Sequence, residues 1–285
     1  MKRIWQKLRD FNELVMFRHS IFSLPFIFIA MVVAANGWFG WRLLLLGILA
    51  AVSARNFAMG FNRYVDRDID AHNPRTKNRP SVDGRIGEGA MLAFIVLNAA
   101  VFVIVAYSIN TLAFWLSFPI LFILASYSYF KRFSELAHLI LGVSLALAPI
   151  AGVVAVEAQI PLWSILLSLG VMFWVAGFDL LYSLQDMEFD KQNALYSIPS
   201  RYGAEATMFI AAIFHLNTVI FWALFVALSG GGIFAWIGVV LGGVMLFYEH
   251  KIVRADFSKI DRAFFTINGY LGIAFLALIV LDRGV

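Results

Sequence analysis

The sequence predicts an all-α membrane protein, a polytopic bundle of about nine transmembrane helices around a central cavity that opens near the cytoplasmic side. Three observations carry this. Hydrophobic residues make up 61% of the 285 and charged residues only 14%, against about 25% charged in soluble domains; mean hydropathy is +0.82. The apolar residues fall in runs of about 20, long enough to cross a bilayer as a helix and about twice the length of a membrane β-strand. Nine such helices take up about 180 positions, which leaves no room for a sizeable soluble domain. Residues 1–285 therefore read as one integral membrane domain with pseudo-repeated halves, about 1–133 and 134–285.

The opening stretch, MKRIWQKLRDFNELVMFRH, mixes charges with apolar positions and has no small-residue cleavage site, so no removable signal peptide is read. The first apolar run, 20–37, is the anchor, and further spans follow at 41–62, 89–109, 111–129, 136–156, 162–186, 206–228, 233–249 and 264–281. Gly, Pro or charged residues mark each break. Connections such as Asn110–Thr111 and Ser229–Gly232 are short and nearly uncharged, whereas 63–88 and 187–205 are long and polar.

Charge assigns the sides. Apart from Arg42, Arg283 and Arg55, the last inside the second span, every Lys and Arg lies in one alternate set of connections. These are the N-terminal segment (Lys2, Arg3, Lys7, Arg9, Arg18), the loop after the second span (Arg63, Arg67, Arg75, Lys77, Arg79, Arg85), Lys131 with Arg132, Lys191 with Arg201, and Lys251, Arg254, Lys259 and Arg262. The positive-inside rule places this set and the N-terminus in the cytoplasm, and an odd helix count places the C-terminus outside, as in a multi-pass protein of the inner, cytoplasmic membrane. The same bias explains the formal charge of +4, so a nucleic-acid partner is excluded. The chain has no cysteine, which rules out disulfides and thiolate chemistry, and its five histidines show no metal-binding spacing.

The chemistry sits at the cytoplasmic ends of the second and sixth spans. At 100° per residue, Arg55, Asn62, Asp66 and Asp70 share a helical face if the helix persists that far. Asp179, Tyr182, Asp186 and Asp190 do the same. Asn62-x3-Asp66-x3-Asp70 and Tyr182-x3-Asp186-x3-Asp190 are separated by one constant offset, and each precedes a proline-containing polar loop, which makes a weak internal repeat. Single acids at helix ends are commonly solvated and paired with neighbouring bases. Two matched sets ending long apolar helices point instead to function, because ionisable groups in a membrane are costly. Clustered carboxylates repel unless a cation lies between them, and hard oxygen donors suit Mg²⁺, which completes its shell with water and phosphate oxygens. Arg75, Lys77, Arg79, Lys131 and Arg132 lie nearby in sequence, and such side chains hold phosphate oxygens, so a phosphorylated substrate is expected. Aromatic residues, 16% of the chain, could line a tunnel for an apolar chain and stabilise a carbocation.

At these residues the sequence resembles the UbiA-type intramembrane aromatic prenyltransferases, whose N-x3-D-x3-D and D-x6-D-x3-D motifs are matched by Asn62, Asp66, Asp70 and by Asp179, Asp186, Asp190. The resemblance covers essentially the whole chain. It implies Mg²⁺ held by Asn62, Asp66, Asp70, Asp186 and Asp190, with Asp66, Asp186 and Asp179 as catalytic residues. It also implies a polyprenyl diphosphate donor met by Arg79, Tyr127 and Lys131, with Tyr182 a further substrate-binding residue. Ionisation of the donor would yield an allylic carbocation for attack by an aromatic ring. Arg55 resembles the position facing a small aromatic acid, and Asp179 or a neighbouring carboxylate is placed to orient that acceptor or take the ring proton. Many members have Asp directly after the first Asn, where this chain has Arg63. It thus resembles the 4-hydroxybenzoate polyprenyltransferase-like subgroup, in which the acceptor is 4-hydroxybenzoate or 1,4-dihydroxy-6-naphthoate and the product leads to ubiquinone or menaquinone. The alternatives are a family member with a different aromatic acceptor and a divalent-cation transporter; the transporter needs acids along a membrane path, and the third, fourth, seventh and eighth spans carry almost none.

Overall fold

A computed structural model describes residues 2–15 and 24–285, and among these every regular element is helical. The expected start of the first span at 20, together with Arg18 and His19, lies outside the described residues. The elements are α1 (Lys2–Val15), α2 (Leu24–Ala35), α3 (Trp41–Val65), α4 (Arg67–His72), α5 (Glu88–Ile109), α6 (Thr111–Phe130), α7 (Ala137–Glu157) and α8 (Leu162–Ser183). After a 3-10 turn at Leu184–Asp186 come α9 (Met187–Gln192), α10 (Ile198–Leu228), α11 (Ile233–Ala255), the short α12 (Ile260–Arg262), a π-turn at Ala263–Ile267 and α13 (Asn268–Asp282). Among the described residues, eight helical stretches are long and apolar enough to cross a membrane, and α2 is a shorter apolar helix. These correspond to the nine expected spans. Large apolar side chains stay exposed along them, Val96, Phe122, Phe209 and Phe247 among them. In water such surfaces drive aggregation; in a bilayer they meet lipid.

Three stretches differ from the sequence reading. The N-terminal segment is itself a helix, amphipathic, with Leu14 and Val15 buried and Lys7 and Arg9 exposed. The polar stretch 187–205 contains α9 and the first turns of α10. Ser197 and Ser200 form a reciprocal capping box there, and Pro199 stands in the first turn, where its missing N–H costs nothing. Gly203, at φ +81°, then kinks α10 before its apolar run. The eighth span continues to Ala255, taking Lys251 and Arg254 into α11.

The chain divides into two compact units, Met1–Ser20 with Ile48–Tyr129, and Ile21–Gly47 with Phe130–Val285. In the first, Phe57 and Ala58 of α3 pack with Ile95 of α5 and Leu124 of α6. Helix α1 joins this unit through Leu14, which packs with Ile86 and Met91, and through Phe11, stacked on Phe94 with centroids 4.9 Å apart. Arg85 closes the join: its two terminal nitrogens donate to both carboxylate oxygens of Glu13 at 2.7 and 2.9 Å, and its Nε donates to Asp83 at 2.7 Å. That paired guanidinium holds the Glu13 carboxyl below its ordinary value of 4.5.

In the second unit α8 is the axis of packing, against α7 and α10, while α2 lies on α7 and α13. Phe26, Trp174, Trp222, Phe225 and Phe275 are fully buried and pack together as an aromatic centre. Helices approach closely where residues are small: a Cβ on Gly142 would overlap the carbonyl oxygen of Met172, and one on Gly152 would press on that of Ile27. Small-residue contacts of this kind let membrane helices gain dispersion energy in a solvent that gives no hydrophobic driving force. Polar groups bind the same helices. The Trp174 indole N–H donates to Asn268 at 2.8 Å, and the Asn268 amide donates to Glu249 at 2.7 Å, which links α8, α13 and α11. The ring nitrogens of His215 and His250 lie 2.9 Å apart, joining α10 to α11.

Gly142→Ala should therefore lower the thermal midpoint in detergent, at a cost of about 1–3 kcal/mol typical of overpacking, whereas Gly89→Ala on α5, where a Cβ meets nothing within 4 Å, should be neutral or mildly stabilising. The folded-state pKa of Glu13 is depressed, so its bridge to Arg85 stabilises the fold above the ordinary carboxylate range and is lost as pH falls through the folded value. The pair is largely exposed, so Glu13→Gln should cost less than about 1 kcal/mol at pH 7. The gap from wild type should narrow as melts are carried from neutral pH down through and below the ordinary carboxylate range.

Candidate active site

In the first unit the polar face of α3 is organised around Asn62. Its amide nitrogen donates to Asp66 Oδ2 at 2.7 Å and lies 3.5 Å from the Ser128 hydroxyl of α6, while its carbonyl oxygen accepts from Arg63 at 3.1 Å. Arg63, the departure from the common motif, is thus a buried member of the site, within the fields of Asp66, Asp70, Arg79 and Tyr127. Helix α3 stops at Val65. Asp66 bonds back to Asn62 through its amide (2.9 Å) but takes φ −89°, ψ 6°, after which α4 begins, and the Asp70 amide returns to the Asp66 carbonyl at 2.8 Å. The face expected of one unbroken helix is therefore built from two helices joined at an aspartate. Both Asp66 and Asp70 are buried.

The loop beyond α4 folds back on it. Asn73 accepts from the amides of Thr76 and Lys77, the Thr76 hydroxyl donates to the Asp70 carbonyl, and Ile86 bonds to Pro80. This wrap brings Arg79 onto Asp70, with Nη1 to Oδ2 at 2.6 Å. Arg75 and Lys77, also read as phosphate binders, are exposed on the same loop. Arg55, two turns earlier on α3, is partly buried, with Nη2 3.4 Å from the Val15 carbonyl of α1. Tyr127 of α6 packs beside Phe57 and Leu124 and lies within electrostatic reach of Arg55 and Arg63.

The second unit repeats this local plan. Helix α8 gives way to a 3-10 turn ending at Asp186, which takes φ −98°, ψ 1°, and α9 follows. Asp66 and Asp186 thus occupy the same sparsely populated backbone region, each immediately before a six-residue helix, and neither side chain caps that helix. The offset relating the motifs in sequence also relates Arg67–His72 to Met187–Gln192. Asp190, on α9, is hydrogen-bonded by Ser197 and feels the charges of Asp186 and Lys131. Lys131 is tied to this region because its carbonyl accepts from the Tyr196 amide at 2.9 Å. Tyr182 packs against Phe264 with the rings tilted at 38° and centroids 4.4 Å apart. Asp179 is bonded to His138, Nδ1 to Oδ2 at 2.7 Å. Sequence spacing did not single out His138, because its partner lies on the next helix.

Among the described residues, no three Asp, Glu or His side chains converge as a self-sufficient metal cage. Each motif instead presents a pair of carboxylates four residues apart, and one of the four, Asp70, already shares its charge with Arg79. Such a donor set suits a cation that takes one or two carboxylates and completes its shell from phosphate and water, as Mg²⁺ does.

The profile of the UbiA prenyltransferase family matches residues 23–279. A 4-hydroxybenzoate octaprenyltransferase of Aromatoleum aromaticum is 28% identical over 253 residues, covering 88% of this chain and 85% of that protein. The apo structure of a UbiA homologue from Aeropyrum pernix superposes with a TM-score of 0.83 at 30% identity, covering 93% of this chain and 98% of that one. A UbiA homologue from Archaeoglobus fulgidus, solved with DMAPP and Mg²⁺ bound, shares the fold at a TM-score of 0.77 and 22% identity over 97% of this chain and 99% of that one. With the helical framework matched nearly end to end and both acidic motifs in place at the ends of α3 and α8, the chain belongs to the UbiA prenyltransferase family.

Proposed function

We propose that this protein transfers a polyprenyl group from a polyprenyl diphosphate to a hydroxylated aromatic carboxylate, in the synthesis of a membrane quinone. The observation that carries the reading is the paired construction of the site: two aspartates at matching helix breaks, each with a second aspartate one turn on, and a basic side chain close to each set. 4-Hydroxybenzoate is the favoured acceptor, supported by relatives such as the Aromatoleum enzyme; 1,4-dihydroxy-6-naphthoate is the second acceptor of the same chemical type.

In this reading Asn62, Asp66, Asp70, Asp186 and Asp190 are the residues that would hold Mg²⁺, which would supply positive charge for the leaving diphosphate. The Asn62 amide fixes Asp66, and Arg63 fixes Asn62, so the first set is oriented before substrate arrives. Arg79 neutralises Asp70 through one nitrogen and keeps further N–H donors for phosphate oxygens, and Lys131 brings a point charge to the second set. Breaking the allylic C–O bond leaves its electron pair on the diphosphate. The ring then attacks the carbocation, and loss of a ring proton restores aromaticity. Arg55 suits the acceptor carboxylate, because its guanidinium can meet both oxygens. Tyr127 and Tyr182 belong to the substrate-facing set of the two units. The whole chain acts as one catalytic domain, with the acidic helix ends and the N-terminus on the cytoplasmic face of the inner membrane.

Purified protein in lipid nanodiscs, given Mg²⁺, a polyprenyl diphosphate and 4-hydroxybenzoate, should yield prenylated acid by mass spectrometry. Chelation should abolish the product and added Mg²⁺ restore it. Asp66→Ala and Asp186→Ala should each reduce turnover by at least about 100-fold while leaving insertion intact. Full activity in both variants would sink the proposal, and product only in a parallel 1,4-dihydroxy-6-naphthoate reaction would reassign the acceptor. Because the chain has no cysteine, sidedness can be read with single substitutions. A membrane-impermeant maleimide should label Arg42→Cys in intact cells, and Lys77→Cys only after lysis.

A further inference from the structure

We infer that His138 is a positioning residue for this reaction, holding Asp179 as the base that takes the ring proton; the inference rests on the prenyl-transfer reading above. His138 stands in the first turn of α7 and Asp179 in the last turns of α8. The two helices form a hairpin through residues 158–161, so the start of one lies level with the end of the other. The imidazole is buried, its side chain 7% exposed, whereas the Asp179 side chain is 22% exposed. One member of the pair is therefore sealed in the protein, and the other keeps a face that a substrate can meet.

The geometry assigns the roles. Nδ1 of His138 lies 2.7 Å from Oδ2 of Asp179, and Nε2 is buried with no hydrogen-bond partner among the described residues. The Nδ1–H of the ring donates to the carboxylate, so the contact fixes both the ring and the oxygen it meets. An Arg partner could engage both carboxylate oxygens, while the imidazole takes one and leaves Asp179 Oδ1 open to a substrate.

Asp179 also differs from the other acids of its motif. Asp186 and Asp190 lie at or beyond the break that ends α8, in the field of Lys131. Asp179 lies within the regular helix, a full turn before its end and deeper in the apolar span. It is thus set apart along the helix from the carboxylates assigned to the diphosphate, while His138 itself lies within electrostatic reach of Asp190. With Oδ2 committed to His138, Oδ1 receives the proton. The C–H bond of the σ-adduct breaks, its electron pair returns to the ring, and the proton goes to Oδ1, to be lost to water when product leaves.

The experiment compares wild type with His138→Leu, His138→Asn and Asp179→Asn in nanodiscs, using 4-hydroxybenzoate with protium or deuterium at the ring position that is prenylated. His138→Leu and Asp179→Asn should lower kcat by about 10–100-fold, at or below the usual range for a general base. The KM for the donor should stay within about two-fold. A primary deuterium isotope effect should emerge in both variants, since rearomatisation becomes the slow step. Diphosphate release from the donor alone should be unchanged. His138→Asn, whose amide N–H can replace Nδ1–H, should regain most of the rate. Equal losses in His138→Leu and His138→Asn without an isotope effect would show a packing role only and overturn the inference, as would wild-type kinetics in His138→Leu. Failure of the wild-type protein to form product with either acceptor would overturn the prenyl-transfer reading, and the role of His138 with it.

Discussion

A hydrocarbon environment offers no hydrogen-bond partner, so a polar group that the chain carries into the membrane is costly unless another part of the same chain meets it. That constraint organises both units. Asn62 meets Asp66 and Arg63, Asp179 meets His138, and Trp174 reaches Glu249 through Asn268. The last chain binds three helices at the centre of an aromatic cluster, where apolar packing alone leaves many near-equivalent arrangements. At the far end of the same unit, Asp282 accepts from the amides of Gly232 and Ala235 at the start of α11, and Arg283 donates to Asn36 and to the Ser229 carbonyl. The helix ends are thereby satisfied by side chains at points where water is not assured.

The same requirement accounts for the form of the acidic motifs. A carboxylate in the middle of a long apolar helix has few ways to meet a partner, whereas a break at the helix end turns the backbone and opens room for a folded polar loop. Asp66 and Asp186 stand at such breaks, and the segments after them return Arg79 to Asp70 and bring Ser197 to Asp190. The internal repeat is therefore a repeat of backbone geometry as well as of residue types.

The helical class, the run of spans and the two acidic sets were legible because each rests on composition or on spacing within one helix. What was missed depends on contacts between elements. An unbroken α3 would have put Asp66 and Asp70 on one face, and the break at Asp66 reaches nearly the same pairing through a local backbone change that i, i+4 counting cannot register. His138 and Asp179 come together only because α7 and α8 are antiparallel; equal counting outward from the turn at 158–161 is the signal that would have matched their levels. Arg63 read as a departure from the common motif, yet its side chain completes the hydrogen bonding of Asn62. The first turns of α10 were hidden in a polar stretch, although Ser197, Pro199 and Ser200 form a start signal that can be read without a structure.

The widened turn at Ala263–Ile267 bears on how related chains should be compared. A π-turn holds one residue more than the α-turn it replaces, so it advances everything beyond it by about 100° around the helix axis. Within that turn stands Phe264, tilted against Tyr182 and edge-on to Phe178; immediately after it stands Asn268, bonded to Trp174 and Glu249. A single-residue gap here in a homologue would be a change of phase rather than of length. It would turn the amide toward a different neighbour, so this one turn sets whether the last helix is keyed to the core through Asn268.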